Sequence, residues 1–311
     1  MRIKFLISLL FCVTINFAQD RMSAEKIVSE GIEFHDKGDY KTAISKYDEA
    51  LKLDTDNLFA LAEKALSLFY SGNYEKSLAV CEIALEKHGK EKDENLQNVY
   101  VNYGNSLDQL GKTEEALKMY DRGLKDYPDY YQLYFNKGIS LLKDPKDLEK
   151  ALVCFQNAVK KNPNHASSHN ALGRMLKSQD KRIPSILAFC RFLSIEPNTK
   201  RGSENLNFLN SYISENVTVT GENAITINID SDKIPDEKKK VSENDFKTSD
   251  MILSMDVALD LDKSNANKSD IENFARKLET LCATFKESKK HKGFYWEYYV
   301  PYFIEMSDKK H

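Results

Sequence analysis

One motif returns about every 34 residues through the first two-thirds of the chain. A small residue recurs at Gly31, Ala65, Gly104, Gly138 and Gly173, with gaps of 34, 39, 34 and 35. A second small residue keeps step at Ala43, Ser77, Ala116, Ala151 and Ser185, and a third at Ala50, Ala84, Gly123 and Ala158. A fixed period of this size predicts stacked helical units rather than one globular core. Such stacks hold other molecules more often than they carry out chemistry.

Each unit reads as two amphipathic helices flanking a turn. Ile27, Gly31 and Phe34 share one face of the stretch from Ala24 to Lys37. Ala43, Ile44, Tyr47, Ala50 and Leu51 share one face of the next, from Tyr40 to Leu53. The turns read Lys37-Gly38-Asp39, Ser71-Gly72-Asn73 and Leu110-Gly111-Lys112, where glycine permits the positive φ that ends a helix tightly. Close helix approach leaves room only for hydrogen or methyl at the small positions. Tyr47, Cys81, Tyr120, Phe155 and Phe189 fill the space around them. Pro128, Pro163 and Pro197 block continuation of three second helices.

The pattern resembles the tetratricopeptide repeat, most closely in GDYKTAISKYDEALKLDTDN from Gly38 to Asn57. The resemblance covers five repeats, residues 24–199, and implies an α-solenoid. Some copies depart from the pattern. The second has five extra residues near Lys87 to Glu94, and the fourth one extra residue and an Asp144-Pro145-Lys146 turn. The fifth has Phe192 at a small-residue position and Pro184 early in its second helix, where proline is tolerated.

Residues 200–216 predict a helix capping the last repeat, with Leu206, Leu209, Tyr212 and Ile213 inward. Residues 217–311 predict a small α+β region. Val217–Thr220 and Ile225–Ile229 alternate around Gly221-Glu222-Asn223 as a hairpin. Residues 230–249 read as a polar linker. Two helices follow, Asp250 to Leu261 and another from about Ser269 to Lys289, which opens with the capping box Ser269/Glu272. Phe294 to Ile304 holds seven aromatics, either plugged into the preceding helices or a sticky surface for self-association.

The N-terminus reads as an export signal over residues 1–18. Arg2 and Lys4 precede an apolar run from Phe5 to Phe17, with a cleavage junction at Ala18-Gln19. The run is short for a membrane span, so no span is expected after its removal. The lysine- and asparagine-rich composition and the Phe17–Asp20 junction resemble exported proteins of Bacteroidetes-type bacteria. That implies a periplasmic or envelope location in a Gram-negative cell. A net charge of −3 gives no basic field for nucleic acid. Cys81, Cys154, Cys190 and Cys282 allow three disulfide pairings, or read as buried thiols on helix faces.

No catalytic constellation, phosphate-cradling glycine run or cofactor motif is present. His165 and His169 are four apart, but no third metal ligand accompanies them. The expected function is therefore non-catalytic: a scaffold holding a partner peptide or helix. By resemblance, the first helix of each repeat lines a concave groove. Its recognition positions are Asn102, Asn105, Asn136, Asn170, Arg174 and Lys177, preceded by an apolar stretch with Phe59, Phe69 and Tyr70. Asparagine amides can bridge a peptide backbone, and Arg174 with Lys177 can hold a carboxylate; the same residues also fit a merely solvated face. The family's carboxylate clamp is matched only in part, at Asn105 and Asn136. Val101, Ser167 and Ala171 stand where its cations belong. The alternative is an enzyme or sensor whose activity resides in residues 217–311, with the repeats as targeting module.

Overall fold

A computed structural model describes residues 2–221, 224–236, 241–261, 269–288 and 291–309; at 2–18 and 270 only the backbone is described. The chain forms two compact units, Met1–Lys161 and Asn162–His311.

The first unit is four helix pairs: α1 (Arg2–Asp36) with α2 (Tyr40–Leu53), α3 (Leu58–Tyr70) with α4 (Tyr74–His88), α5 (Asn95–Gln109) with α6 (Thr113–Asp126), and α7 (Tyr131–Leu141) with α8 (Leu148–Lys161). Each pair closes where the small residue meets its large partner. A methyl group at Gly31 would lie 2.5 Å from Tyr47 Cε1, and one at Gly138 would lie 2.7 Å from Phe155 Cε1. Gly104 meets Tyr120 in the same way. The rings of Tyr47, Tyr120 and Phe155 are fully buried. Where serine replaces alanine at the second small position, its hydroxyl is used. Ser77 Oγ donates to the Ala65 carbonyl at 2.8 Å, the small residue of the paired helix.

The turns follow from backbone chemistry. Gly38, Gly72 and Gly111 take φ of 79°, 78° and 78°. In each, the next N–H donates to a carbonyl five residues back: Asp39 to Phe34, Asn73 to Leu68 and Lys112 to Leu107, all at 2.9 Å. The fourth turn replaces this device with a 3-10 turn at Pro145–Asp147, and Asp144 caps it.

The second unit opens with a fifth pair, α9 (Ala166–Ser178) and α10 (Arg182–Ile195). Gly173 packs on Phe189, and Ser185 Oγ donates to the Gly173 carbonyl at 2.8 Å. Asp180 takes the left-handed turn position, with φ 56°, and its carboxylate is gripped by Lys233. The expected capping helix forms as α11 (Lys200–Ser214). The hairpin forms as β1 (Val217–Gly221) and β2 (Ala224–Ile227), antiparallel, with Val217 opposite Ile227. Its tip, at 222–223, lies outside the described residues. The linker read at 230–249 contains a 3-10 turn at Ser231–Lys233; residues 237–240 are not described.

Next come α12 (Lys247–Asp260), α13 (Asp270–Glu287), α14 (Phe294–Tyr298) and α15 (Val300–Asp308). The capping box at Ser269 and Glu272 is present, with both hydrogen bonds made. Arg182 anchors α12 to the repeat pair. Its guanidinium pairs with Asp250, donates to Ser254 Oγ at 3.2 Å, and donates to the Ile213 carbonyl. The aromatic segment supplies core. Tyr295, Trp296, Tyr299 and Phe303 are buried, and Trp296 stacks on Phe246 at 4.3 Å. Cys81, Cys154, Cys190 and Cys282 are buried free thiols. Among the described residues, no helix is long and apolar enough to cross a membrane.

The small–large contact makes a quantitative prediction. Gly138→Ala drives a methyl group into Phe155 and should cost about 1–3 kcal/mol in urea denaturation, despite alanine's better helix propensity. Gly38→Ala meets nothing within 4 Å and suffers only backbone strain, about 1 kcal/mol. Equal losses would show that the ring contact does not set the helix spacing.

Candidate functional site

In the first unit the leading helices α1, α3, α5 and α7 carry the positions read as a recognition surface. The repeat packing claims part of them. Asn102 is only 2% exposed, and its Nδ2 donates to the Ala62 carbonyl at 3.3 Å. It fastens α5 to α3 and is not open to a ligand, which corrects its assignment as a groove residue. A polar side chain at an inner position is drawn inward when a neighbouring carbonyl offers it an acceptor. Asn105 and Asn136 are half-buried. Asn105 Oδ1 accepts from the Tyr120 hydroxyl at 2.7 Å, and Asn136 Nδ2 donates to the Gln132 carbonyl at 2.9 Å. Among the described residues, the amide donors of Asn105 and the side-chain carbonyl of Asn136 take no further hydrogen bond.

Of the apolar stretch, Phe69 and Tyr70 meet edge-on at 5.6 Å. Phe59 packs against the core of the first pair and borders an open cleft of about 850 Å³. Phe69 leans on Tyr74, with centroids 5.5 Å apart, while Tyr70 stacks on Tyr40 at 5.8 Å and stays 57% exposed. The extra residues of the second repeat build one wall of the cleft, with His88, Glu91 and Asp93 lining it together with Arg21 and Glu25 of α1.

Two further residues on the leading helices of the first two pairs, His35 and Glu63, are perturbed by their surroundings. The register could have found Glu63, since it occupies the repeat position held by Asn102 and Asn136 in later copies. Burial and the nearby Asp36 carboxylate raise the Glu63 pKa above the usual carboxylate range. Burial lowers that of His35, whose Nδ1 lies 2.7 Å from Ser67 Oγ.

In the second unit, Asn170 and Arg174 sit one turn apart on α9. Arg174 Nε donates to Asn170 Oδ1 at 2.8 Å and the Arg174 side chain is exposed. Asn170 is 9% exposed, and its Nδ2 has no hydrogen-bond partner among the described residues. Lys177 is committed elsewhere. It lies 3.4 Å from Glu215 and over the rings of Phe208 (4.6 Å) and Tyr212 (4.2 Å). The capping helix has taken up that cation.

Residues 103–152 match the Tetratricopeptide repeat family. The chain contains tetratricopeptide repeats. It is 29% identical over 110 residues to the Photosystem I assembly protein Ycf3 of Prochlorococcus marinus, covering 34% of this chain and 64% of that one. It is 27% identical over 139 residues to the mitochondrial import receptor subunit TOM70 of Homo sapiens, covering 40% and 22%. The chain thus spans less than two-thirds of the length of these curated relatives. The crystal structure of a thermophilic tetratricopeptide-repeat protein of Thermus thermophilus superposes with a TM-score of 0.52 at 15% identity, over 61% of this chain and 98% of that one. At that identity the likeness bears on the fold alone.

The histidine pair serves the framework of the fifth helix pair. His165 Nδ1 faces Ser168 Oγ at 2.7 Å. His169 is fully buried. Its Nε2–H donates to the Pro163 carbonyl at 3.0 Å, and its Nδ1 accepts from the Tyr299 hydroxyl at 2.7 Å. Among the described residues, no group of three histidine, cysteine or acidic side chains is placed to hold a metal ion. Burial lowers the His169 pKa to about 4. Because the folded value lies below the unfolded 6.5, the unfolded chain binds the proton first. Stability present above pH 6.5 is therefore lost as pH falls toward 4. The loss from this group should be on the order of 3 kcal/mol at about pH 4. His169→Gln should flatten the dependence of melting temperature on pH across that window; an unchanged slope would assign it to other groups.

Proposed function

We propose that this protein is a non-catalytic adaptor that holds a peptide or helical segment of a partner protein on the inner faces of its repeats. The observation that carries this reading is Asn170. A buried amide donor without an internal partner costs free energy on the order of 1–3 kcal/mol, and this one lies beside the exposed side chain of Arg174. A peptide carbonyl or carboxylate satisfies both groups at once. In the first unit the amide donors of Asn105 and the carbonyl of Asn136 offer the complementary pair for a peptide backbone. Relatives named as an assembly protein and an import receptor subunit are in keeping with an adaptor role.

We place the protein outside the cytoplasm, in the envelope of a Gram-negative cell. The support is the basic start at Arg2 and Lys4, the apolar run to Phe17 and the Ala18-Gln19 junction. The adaptor's partner then belongs to an envelope assembly. Recovered protein should begin at or near Gln19 and fractionate with the periplasm. A chain that retains Met1 and remains in the cytoplasm would remove the export reading and leave the adaptor reading standing.

Asn170→Ala combined with Arg174→Ala should lower the yield of crosslinked partner from envelope fractions severalfold. The melting temperature should hold, because the hydrogen bond these two residues share is the one they lose. Equal yields from wild type and variant would dismiss this face of α9 as a recognition surface.

A further inference from the structure

We propose that the cavity of about 180 Å³ where α10 and α12 begin binds a phosphate group, with the ammonium groups of Lys181 and Lys247 and the open N–H groups of α10 as its donors. The site lies within the second unit. It uses none of the residues assigned above to peptide holding and stands independently of the adaptor reading.

Two helix starts meet at this cavity. Arg182 and Ile183 open α10, Phe246 and Lys247 stand at the start of α12, and all four line it. Both helices have 14 residues, so each presents a developed positive dipole end. An ordinary helix start answers that end with a hydroxyl or carboxylate cap. α10 has neither. Its N-cap is Lys181, which makes no side-chain cap, and its first turn holds no acid. Pro184 has no N–H to give, and the N–H groups of Arg182 and Ile183 take no hydrogen bond among the described residues. Lys181 and Arg182 thus crowd two positive charges onto a helix end that favours a negative one.

The second observation is Arg182 itself. It is 7% exposed and lines the cavity, yet its Nε has no hydrogen-bond partner among the described residues. The rest of the guanidinium is engaged by Asp250, by Ser254 Oγ at 3.2 Å and by the Ile213 carbonyl. A donor buried this deeply is ordinarily satisfied. An oxygen of a bound anion supplies the acceptor that its neighbours omit.

Charge decides the sign of the ligand. Three carboxylates line the cavity, and each is already engaged. Asp250 pairs with Arg182, Asp180 with Lys233, and Asp245 accepts from the Lys247 N–H at 3.0 Å. Lys181, exposed, and Lys247, half-buried, also line the cavity. Their ammonium groups make no ion pair or hydrogen bond among the described residues. What remains for a ligand is two ammonium groups and backbone donors contributed by different elements. A phosphate carries its acceptor oxygens in a tetrahedron and can meet donors on more than one side, where a planar carboxylate meets fewer.

The test is titration of the full chain with inorganic phosphate at constant ionic strength, read by calorimetry and by melting temperature. Phosphate should bind saturably and raise the melting temperature above that of a chloride control. Lys181→Gln with Lys247→Gln should weaken binding about tenfold. The same variant should keep its melting temperature in phosphate-free buffer, since neither ammonium group loses an internal partner. Glycerol phosphate as a second probe separates the sources: tighter binding of the ester marks a phosphorylated partner group, and tighter binding of inorganic phosphate marks the free ion. Either result supports the site when the double variant weakens it. No saturation by either probe up to about 10 mM, or equal binding by wild type and variant, would overturn the proposal. A lower melting temperature of the variant in phosphate-free buffer would assign the two lysines to the fold, against it.

Discussion

The contact between a glycine and an aromatic ring across four of the five helix pairs governs the rest of the structure. A glycine without Cβ lets the leading helix rest directly on the ring of its partner, as at Gly31 on Tyr47 and Gly138 on Phe155. The approach is too close for even one methyl group without rearrangement. It sets the spacing of the pair and, through the rigid turn, the face that each leading helix turns outward. The second repeat shows the tolerance of the scheme. Ala65 and Cys81 replace glycine and ring, trading volume on one side for volume on the other, and Ser77 adds a hydrogen bond to the Ala65 carbonyl.

Local features of the fold were legible because each rests on a local physical rule. Gly38, Gly72 and Gly111 announce positive φ. Pro128, Pro163 and Pro197 lie two residues past the ends of α6, α8 and α10. Ser269 and Glu272 announce a cap, and the alternation after Val217 announces a strand pair. What periodicity does not encode is which element covers which. The repeat pattern puts a boundary after Thr199, whereas the compact units divide at Lys161. The fifth pair is bound to the segment that follows it by Arg182, His169 and Arg191, the last lying on the Tyr302 ring at 4.4 Å. No pattern of residue types foretells those partners.

The candidate site was legible as a face and less so as chemistry. The repeat register located the leading-helix positions, and Asn105, Asn136 and Arg174 remain at least partly accessible there, with Asn170 at the edge of burial. Residue type misled where a neighbour had a prior claim. Asn102 is spent on a backbone carbonyl of α3, and Lys177 on Glu215 and two rings. Counting cations along the groove suggests a surface for acids. Pairing them off removes Lys177 and leaves Arg174, so what a recognition surface can hold depends on residual charge rather than composition.

The bond between His169 and Tyr299 joins residues 130 apart in sequence. On a ribosome, each pair of the first unit finds its immediate neighbours as it emerges, so that unit assembles from contacts close in sequence. The fifth pair has no such option. Its buried imidazole acquires its hydroxyl partner only after nearly the whole chain has been made. Until then, Arg182 and the side of α10 that faces α12 await their partners. The second unit is therefore the part that a chaperone must shelter longest, and the last to become resistant to proteolysis during synthesis.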